Sequence, residues 1–178
     1  MNIALNFTVV AVVGLAAFFD IKERRIPNWV VLLGFCGAVL LALLQGSNQL
    51  IIVVVGFFAG ILALLVPFAL GWLGAGDVKL FAAVGALLGY MALPRVFFYS
   101  CIVAGIIALL ALAMGYVNEI SFKRFWTDCK FFFLAGRSGL PKTMPVKPGA
   151  YSVPWGVAIG AGTIMAYYFD PAGKWAGF

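Results

Sequence analysis

The stretch Leu73-Gly74-Ala75-Gly76-Asp77-Val78-Lys79-Leu80 sets a carboxylate and an ammonium group between two long apolar runs. An Asp at the centre of a membrane helix costs roughly 2.5–3.5 kcal/mol on insertion scales. A chain with only six acidic residues therefore has one of them where charge is expensive. Asp77 reads as one half of a catalytic pair, and the rest of the chain is read for the other half.

The 178 residues are 65% hydrophobic and 10% charged, with a mean hydropathy of +1.10. Soluble domains carry about 25% charged residues, so the composition calls for an integral membrane protein. The apolar runs are continuous rather than alternating, which points to an all-α bundle and away from a transmembrane barrel. The whole chain, 1–178, reads as one membrane domain, with cytoplasmic loops at about 20–28, 72–78 and 118–149. Its net charge of +6 is first a matter of loop placement under the positive-inside rule, and nothing marks a nucleic-acid surface. The chain has no histidine, which excludes His-based triads, His general bases and His metal ligands. Cys36, Cys101 and Cys129 lie far apart with no C-x-x-C, so no metal site or redox pair is expected.

Six spans are expected, at about 3–19, 29–44, 50–71, 78–93, 96–117 and 151–169. The fourth is short against the ~20 residues that cross a bilayer, so it either begins before Asp77, crosses a locally thin region or is a re-entrant segment. Pro67 should kink the third span near its end, and Pro94-Arg95 should form a tight turn. Within 118–149, Phe122, Phe125, Trp126, Cys129, Phe132 and Phe133 recur at helical spacing with Lys123, Arg124 and Lys130 between them, the pattern of an amphipathic helix on the membrane surface. With the N-terminus outside, only Arg95 and Lys174 of the 12 Lys and Arg residues fall outside, which favours that orientation.

This topology puts Asp20, at the inner end of the first span, at the same depth as Asp77. Small-residue pairs at Gly56/Gly60, Gly85/Gly89 and Gly156/Gly160 would let the helices approach closely. Two adjacent carboxylates do not both ionise easily, so one serves as base while the other holds a proton. Such a pair activates water against an amide without metal, serine or histidine. Simpler readings stand beside this one. Asp20 alone, next to Lys22, Arg24 and Arg25, fits an interfacial ion pair, and Asp77 could pair with Lys79. Two intramembrane carboxylates could also form a proton or cation path, and a purely structural secretion subunit would need neither.

The combination is more specific than its parts. Gly74-Ala75-Gly76-Asp77-Val78-Lys79 followed by Gly85 resembles the GxGD region of type IV prepilin peptidases. Asp20 with Arg24-Arg25-Ile26-Pro27-Asn28 resembles their first aspartate motif, and Val153-Pro154-Trp155-Gly156 resembles their C-terminal Pro-aromatic-Gly segment. The resemblance implies a cytoplasmic-membrane aspartyl endopeptidase that removes the leader from pilin or pseudopilin precursors on the cytoplasmic side. Asp20 and Asp77 would be its catalytic residues, with no cofactor. Gly74 and Gly76 would let the loop lie against an extended peptide, Lys79 would tune the pair or anchor the loop, and Ile26, Pro27, Asn28 and Pro154 would support the site. The long family form carries a cysteine-bearing insert between its first two spans and also methylates the new N-terminus. Here that loop is short and has no cysteine, so the resemblance is to the compact enzymes of tight-adherence (Flp-type) pilus systems, with archaeal preflagellin peptidases as further compact relatives. No methyltransferase activity is expected.

Overall fold

Inside a bilayer every backbone N–H and C=O must find its partner within the protein, so each apolar run folds as a helix. In a computed structural model describing residues 3–69, 72–114 and 154–169, those runs form six helices and, among the described residues, no strand. They are α1 (Ile3–Glu23), α2 (Asn28–Gln45), α3 (Ser47–Ala69), α4 (Ala75–Leu88), α5 (Leu93–Ala113) and α6 (Trp155–Ile164), the last continued by a π-helical turn over Met165–Phe169. Among the described residues four helical segments, Ile3–Glu23, Asn28–Gln45, Gln49–Ala69 and Tyr90–Ala113, are long and apolar enough to cross a membrane. Large apolar side chains cover their outer faces, among them Phe7, Phe18, Leu40, Leu44, Leu62 and Leu109, all exposed. Water would penalise so much exposed apolar surface, whereas lipid accommodates it.

α4 is the central helix. It packs most extensively on α3, then on α2, and touches α6 and α1. Its 14 residues span roughly 21 Å at 1.5 Å per residue, short of the ~30 Å hydrocarbon core. Val78 and Leu80 through Leu87 are all buried, so protein rather than lipid surrounds it. The helix begins three residues earlier than the expected fourth span and ends five residues sooner. Gly89 stops it at φ +82, a left-handed conformation that favours glycine, and donates its N–H to Gly85 O at 2.9 Å. A 3₁₀ turn over Tyr90–Ala92 follows. Pro94 and Arg95 then fall in the first turn of α5, not in a tight turn, because proline lacks only an N–H that a first turn leaves unpaired anyway.

Glycine permits the closest contact in the bundle. A Cβ on Gly56 of α3 would collide with Gly85 O, and one on Gly85 would collide with Gly56 O. A Cβ on Gly60 would lie 2.7 Å from Ala82 Cα. The α3 and α4 backbones therefore touch directly, as small-residue pairs allow. Gly34 of α2 does the same between Val12 and Ala83, where an added Cβ would meet them at 3.1 and 3.2 Å. Pro67 lies inside α3, in its last turn, and its carbonyl accepts the Trp72 N–H at 3.0 Å.

α1 also differs from expectation. It runs through Asp20 to Glu23, so Asp20 is helical rather than part of a 20–28 loop. The helix ends where Arg24 takes φ +52, its N–H bonded to Asp20 O at 3.1 Å. A non-glycine residue in that conformation costs roughly 1–2 kcal/mol. The buried residues of α1 are Val9, Val12, Val13, Ala16 and Asp20, one stripe at helical spacing. Asp20 thus extends the core face of α1 and points into the bundle. α6 lies antiparallel to α1: Val157 reaches Asp20 at one end, and the Tyr167 hydroxyl donates to Asn6 Oδ1 at 2.6 Å at the other. Buried Ser100 and Thr163 donate to the carbonyls four residues before them, Val96 and Ile159, at 2.6 and 2.7 Å. The surface helix expected within 118–149 lies outside the described residues, as do the first residues of the sixth span.

Candidate active site

Each nominated carboxylate meets backbone N–H groups at the start of a helix. Asp20 sits on the last turn of α1 with 7% of its surface exposed. Its Oδ2 accepts the Val157 N–H at 3.2 Å, and the Gly156 amide lies beside the same carboxylate. Both amides belong to the first turn of α6, whose unpaired N–H groups and dipole favour a negative charge. Pro154 caps that helix, and its carbonyl accepts the Ala158 N–H at 3.2 Å. The fit at Gly156 is tight: a Cβ there would stand 2.8 Å from Asp20 Oδ2 and 2.9 Å from its Cβ and Cγ. The positive charge of Arg24, one turn on, acts on the same carboxylate.

Asp77 is the third residue of α4. Its Oδ2 accepts the Gly74 N–H at 2.9 Å, while its own N–H donates to Gly74 O at 3.1 Å. This is the side-chain-to-backbone half of a capping box, and it fixes where the helix starts. Gly74 has φ −80 and ψ 156, an extended conformation open to any residue. Its lack of Cβ matters for space, since a Cβ would lie 3.2 Å from Asp77 Oδ2. Gly76 makes room in the same way for the nearly buried Ile26, whose Cβ would be 3.2 Å away. Both glycines are accounted for by packing within the folded chain.

Asp20 and Asp77 lie at the same end of the bundle, close enough for the charge of Asp20 to act on Asp77. The nominated supporting residues gather around them. Ile26 lies under Gly76, Pro27 precedes the first residue of α2 with φ −63 and ψ 140, and Asn28 opens α2. Lys79 donates to Asn28 Oδ1 at 3.0 Å. The simple Asp77–Lys79 ion pair is therefore not the arrangement found. A cavity of about 170 Å³ lined by Leu5, Leu87, Arg95 and Tyr167 opens near the Asn6–Tyr167 contact, at the other end of α1 and α4 from both carboxylates. Among the described residues no cluster of three or more His, Cys, Asp or Glu side chains is placed to hold a metal ion.

Sequence reasoning named Pro154 but missed the amides of Gly156 and Val157 as partners of Asp20, 137 positions away for Val157. The signal was there in Pro154-Trp155-Gly156: a proline and a glycine at a helix start leave room for an anion beside its first N–H groups. Of the cations that the sequence sets beside Asp20, it is Arg24 whose charge bears on it.

Residues 7–109, more than half of the chain and including both Asp20 and Asp77, match the family model described as the type IV leader peptidase family. A protein of Aeromonas salmonicida (strain A449), named prepilin leader peptidase/N-methyltransferase, is 35% identical over 102 residues, covering 52% of this chain and 34% of its own length. A Bacillus subtilis (strain 168) protein of the same name is 27% identical over 157 residues, 87% of this chain and 51% of its own. The chain thus spans between a third and about half of the length of these curated relatives. No solved structure matches it. On the family match, with its two aspartates brought to one end of a helical bundle, the chain belongs to the type IV leader peptidase family.

Proposed function

We propose that this chain is a membrane endopeptidase that cuts the leader from pilin-like precursors at the cytoplasmic face, with Asp20 and Asp77 as the catalytic pair. The observation that carries this reading is that the two carboxylates lie at one end of the bundle, close enough for the charge of Asp20 to act on Asp77, each with a backbone N–H of a helix start bonded to one oxygen. One carboxylate takes a proton from a water molecule. The water oxygen bonds to the scissile carbonyl carbon, and the other carboxyl group gives its proton to the carbonyl oxygen. The C–N bond then breaks as the departing nitrogen takes up the first proton, and the diol proton returns to the second carboxylate as the new carboxyl group forms. Each aspartate ends in the state in which it began.

The compact tight-adherence form is the subtype we favour. The residues between α1 and α2 are only Arg24, Arg25, Ile26 and Pro27, with no cysteine, so that link holds no metal-binding insert. The peptidase half of the relatives' double name is the part we assign to this chain. Six crossings with the N-terminus outside would put the pair on the inner side, where Lys22, Arg24, Arg25 and Lys79 also lie. The test is to incubate the purified protein with a pilin precursor and look for the shortened product. The parent should cleave, and Asp20→Asn and Asp77→Asn should each reduce cleavage to background. Normal cleavage by either variant would remove the dyad. Proton flux without cleavage would favour an ion path through the same carboxylates.

A further inference from the structure

The link between α1 and α2 follows Asp20 along the chain and reaches the first turn of α4 beside Asp77. Asp20 ends the core stripe of α1, Arg24 turns the chain, and Ile26 then tucks under Gly76, the neighbour of Asp77. Two residues beyond Ile26, Asn28 accepts a hydrogen bond from Lys79, two residues beyond Asp77. The link therefore holds the first turn of α4 on both sides of Asp77, by an apolar contact before it and a charge-assisted hydrogen bond after it. The Asp77 carboxylate itself is held by the Gly74 amide, a local bond within the same helix start.

We propose that the α1–α2 link is the positioning element for Asp77, with Ile26 and the Asn28–Lys79 bond as its two points of attachment. None of these side chains needs to touch substrate. Ile26 is nearly buried, at 9% exposure, so its contact is permanent packing. Asn28 and Lys79 are exposed, so their bond is the weaker attachment. The role rests on the peptidase reading only for its kinetic consequence, and the geometric part is testable in an inactive protein.

Gly76 and Ile26 supply that test. The 3.2 Å between the Ile26 Cβ and a Cβ built on Gly76 is just under the ~3.5–4.5 Å Cβ separation of disulfides. In a background with Cys36, Cys101 and Cys129 replaced by alanine, Ile26→Cys with Gly76→Cys should crosslink rapidly on mild oxidation. Ile26→Cys with Gly14→Cys, where an added Cβ would meet nothing beyond its own helix within 4 Å, should not. Lys79→Met or Asn28→Ala should slow the 26–76 crosslink about threefold, the two together no more than either alone, and Lys79→Arg should restore it. In the native-cysteine protein, Ile26→Ala should lower kcat for precursor cleavage about tenfold with KM within about twofold, and Ile26→Val should recover most of it. A 26–76 crosslink no faster than the control, independent effects of Lys79→Met and Asn28→Ala, or an unchanged kcat in Ile26→Ala overturns the proposal. If the parent cleaves no precursor while the crosslinking pattern holds, the peptidase reading fails and the positioning geometry stands.

Discussion

Replacing Gly156 with alanine adds one methyl group at the most confined point of the site. The new Cβ would stand 2.8 Å from Asp20 Oδ2 and 2.9 Å from Asp20 Cβ and Cγ, distances that carbon cannot keep. The obstacle is not the free end of a flexible side chain. Asp20 is short, buried on the core face of α1, and bound by the amides of the very turn that carries the methyl group. Two relaxations are open. The first turn of α6 can retreat by about 0.5–1 Å, or the Asp20 carboxylate can rotate away and give up its amide bonds. Hydrogen bonds to a charged group contribute about 1.5–3 kcal/mol each, and forced overpacking costs about 1–3 kcal/mol, so either route destabilises the protein by a few kcal/mol. A misplacement of about 1 Å in a catalytic group lowers the rate about 100-fold. Gly156→Ala should therefore cut kcat/KM for precursor cleavage by about two orders of magnitude and lower the unfolding temperature in detergent. Gly14→Ala is the control, since Gly14 faces outward on α1 with nothing within 4 Å, and it should match the parent in both assays. Parental cleavage by Gly156→Ala would refute the claim that α6 holds Asp20 in its working position.

Other perturbations separate stability from chemistry. Asp77→Asn keeps an oxygen that can accept the Gly74 N–H, so α4 should still start at Ala75 and thermal unfolding should stay within a few degrees of the parent while cleavage is lost; a large loss of stability would show that the carboxylate is mainly structural. Gly85→Ala drives a methyl group into the Gly56 carbonyl and should destabilise the α3–α4 contact by about 1–3 kcal/mol, read as earlier unfolding in a detergent titration, and an unchanged midpoint would contradict the backbone contact. Tyr167→Phe removes the 2.6 Å bond to Asn6 at the far end of the bundle. Interhelical hydrogen bonds in membranes average about 0.6 kcal/mol, so stability should fall slightly and cleavage not at all; loss of cleavage would link the two ends of the bundle.

Much of this molecule was legible in its residues. Continuous apolar runs imply helices wherever water is absent, and Pro27, Gly46 and the Gly74–Gly76 stretch mark where they break. Asp77 stood out because a carboxylate between such runs is costly. Gly56 and Gly85 were visible as small residues that permit close helix contact, and the structure brings those two backbones together.

What the residues alone left open was direction. Before Asp20 the only polar side chains of α1 are Asn6 and Thr8, too few to mark a polar face, and nothing in the sequence shows that Asp20 continues the stripe of Val9, Val12, Val13 and Ala16. The helix ends moved for similar reasons: the lipid boundary is a solvent property, whereas α4 starts where Asp77 bonds back to Gly74 and stops where Gly89 turns left-handed. Nor could local sequence reveal that the amides receiving Asp20 come from Gly156 and Val157, or that Lys79 bonds to Asn28 instead of its near neighbour Asp77. Those pairings depend on which helix faces lie together, a choice made by close packing among surfaces that are almost equally apolar. Chemistry along the chain determined that this is a helical membrane protein with a costly aspartate. Only the tertiary packing decided that the second aspartate faces inward and which backbone groups hold each one.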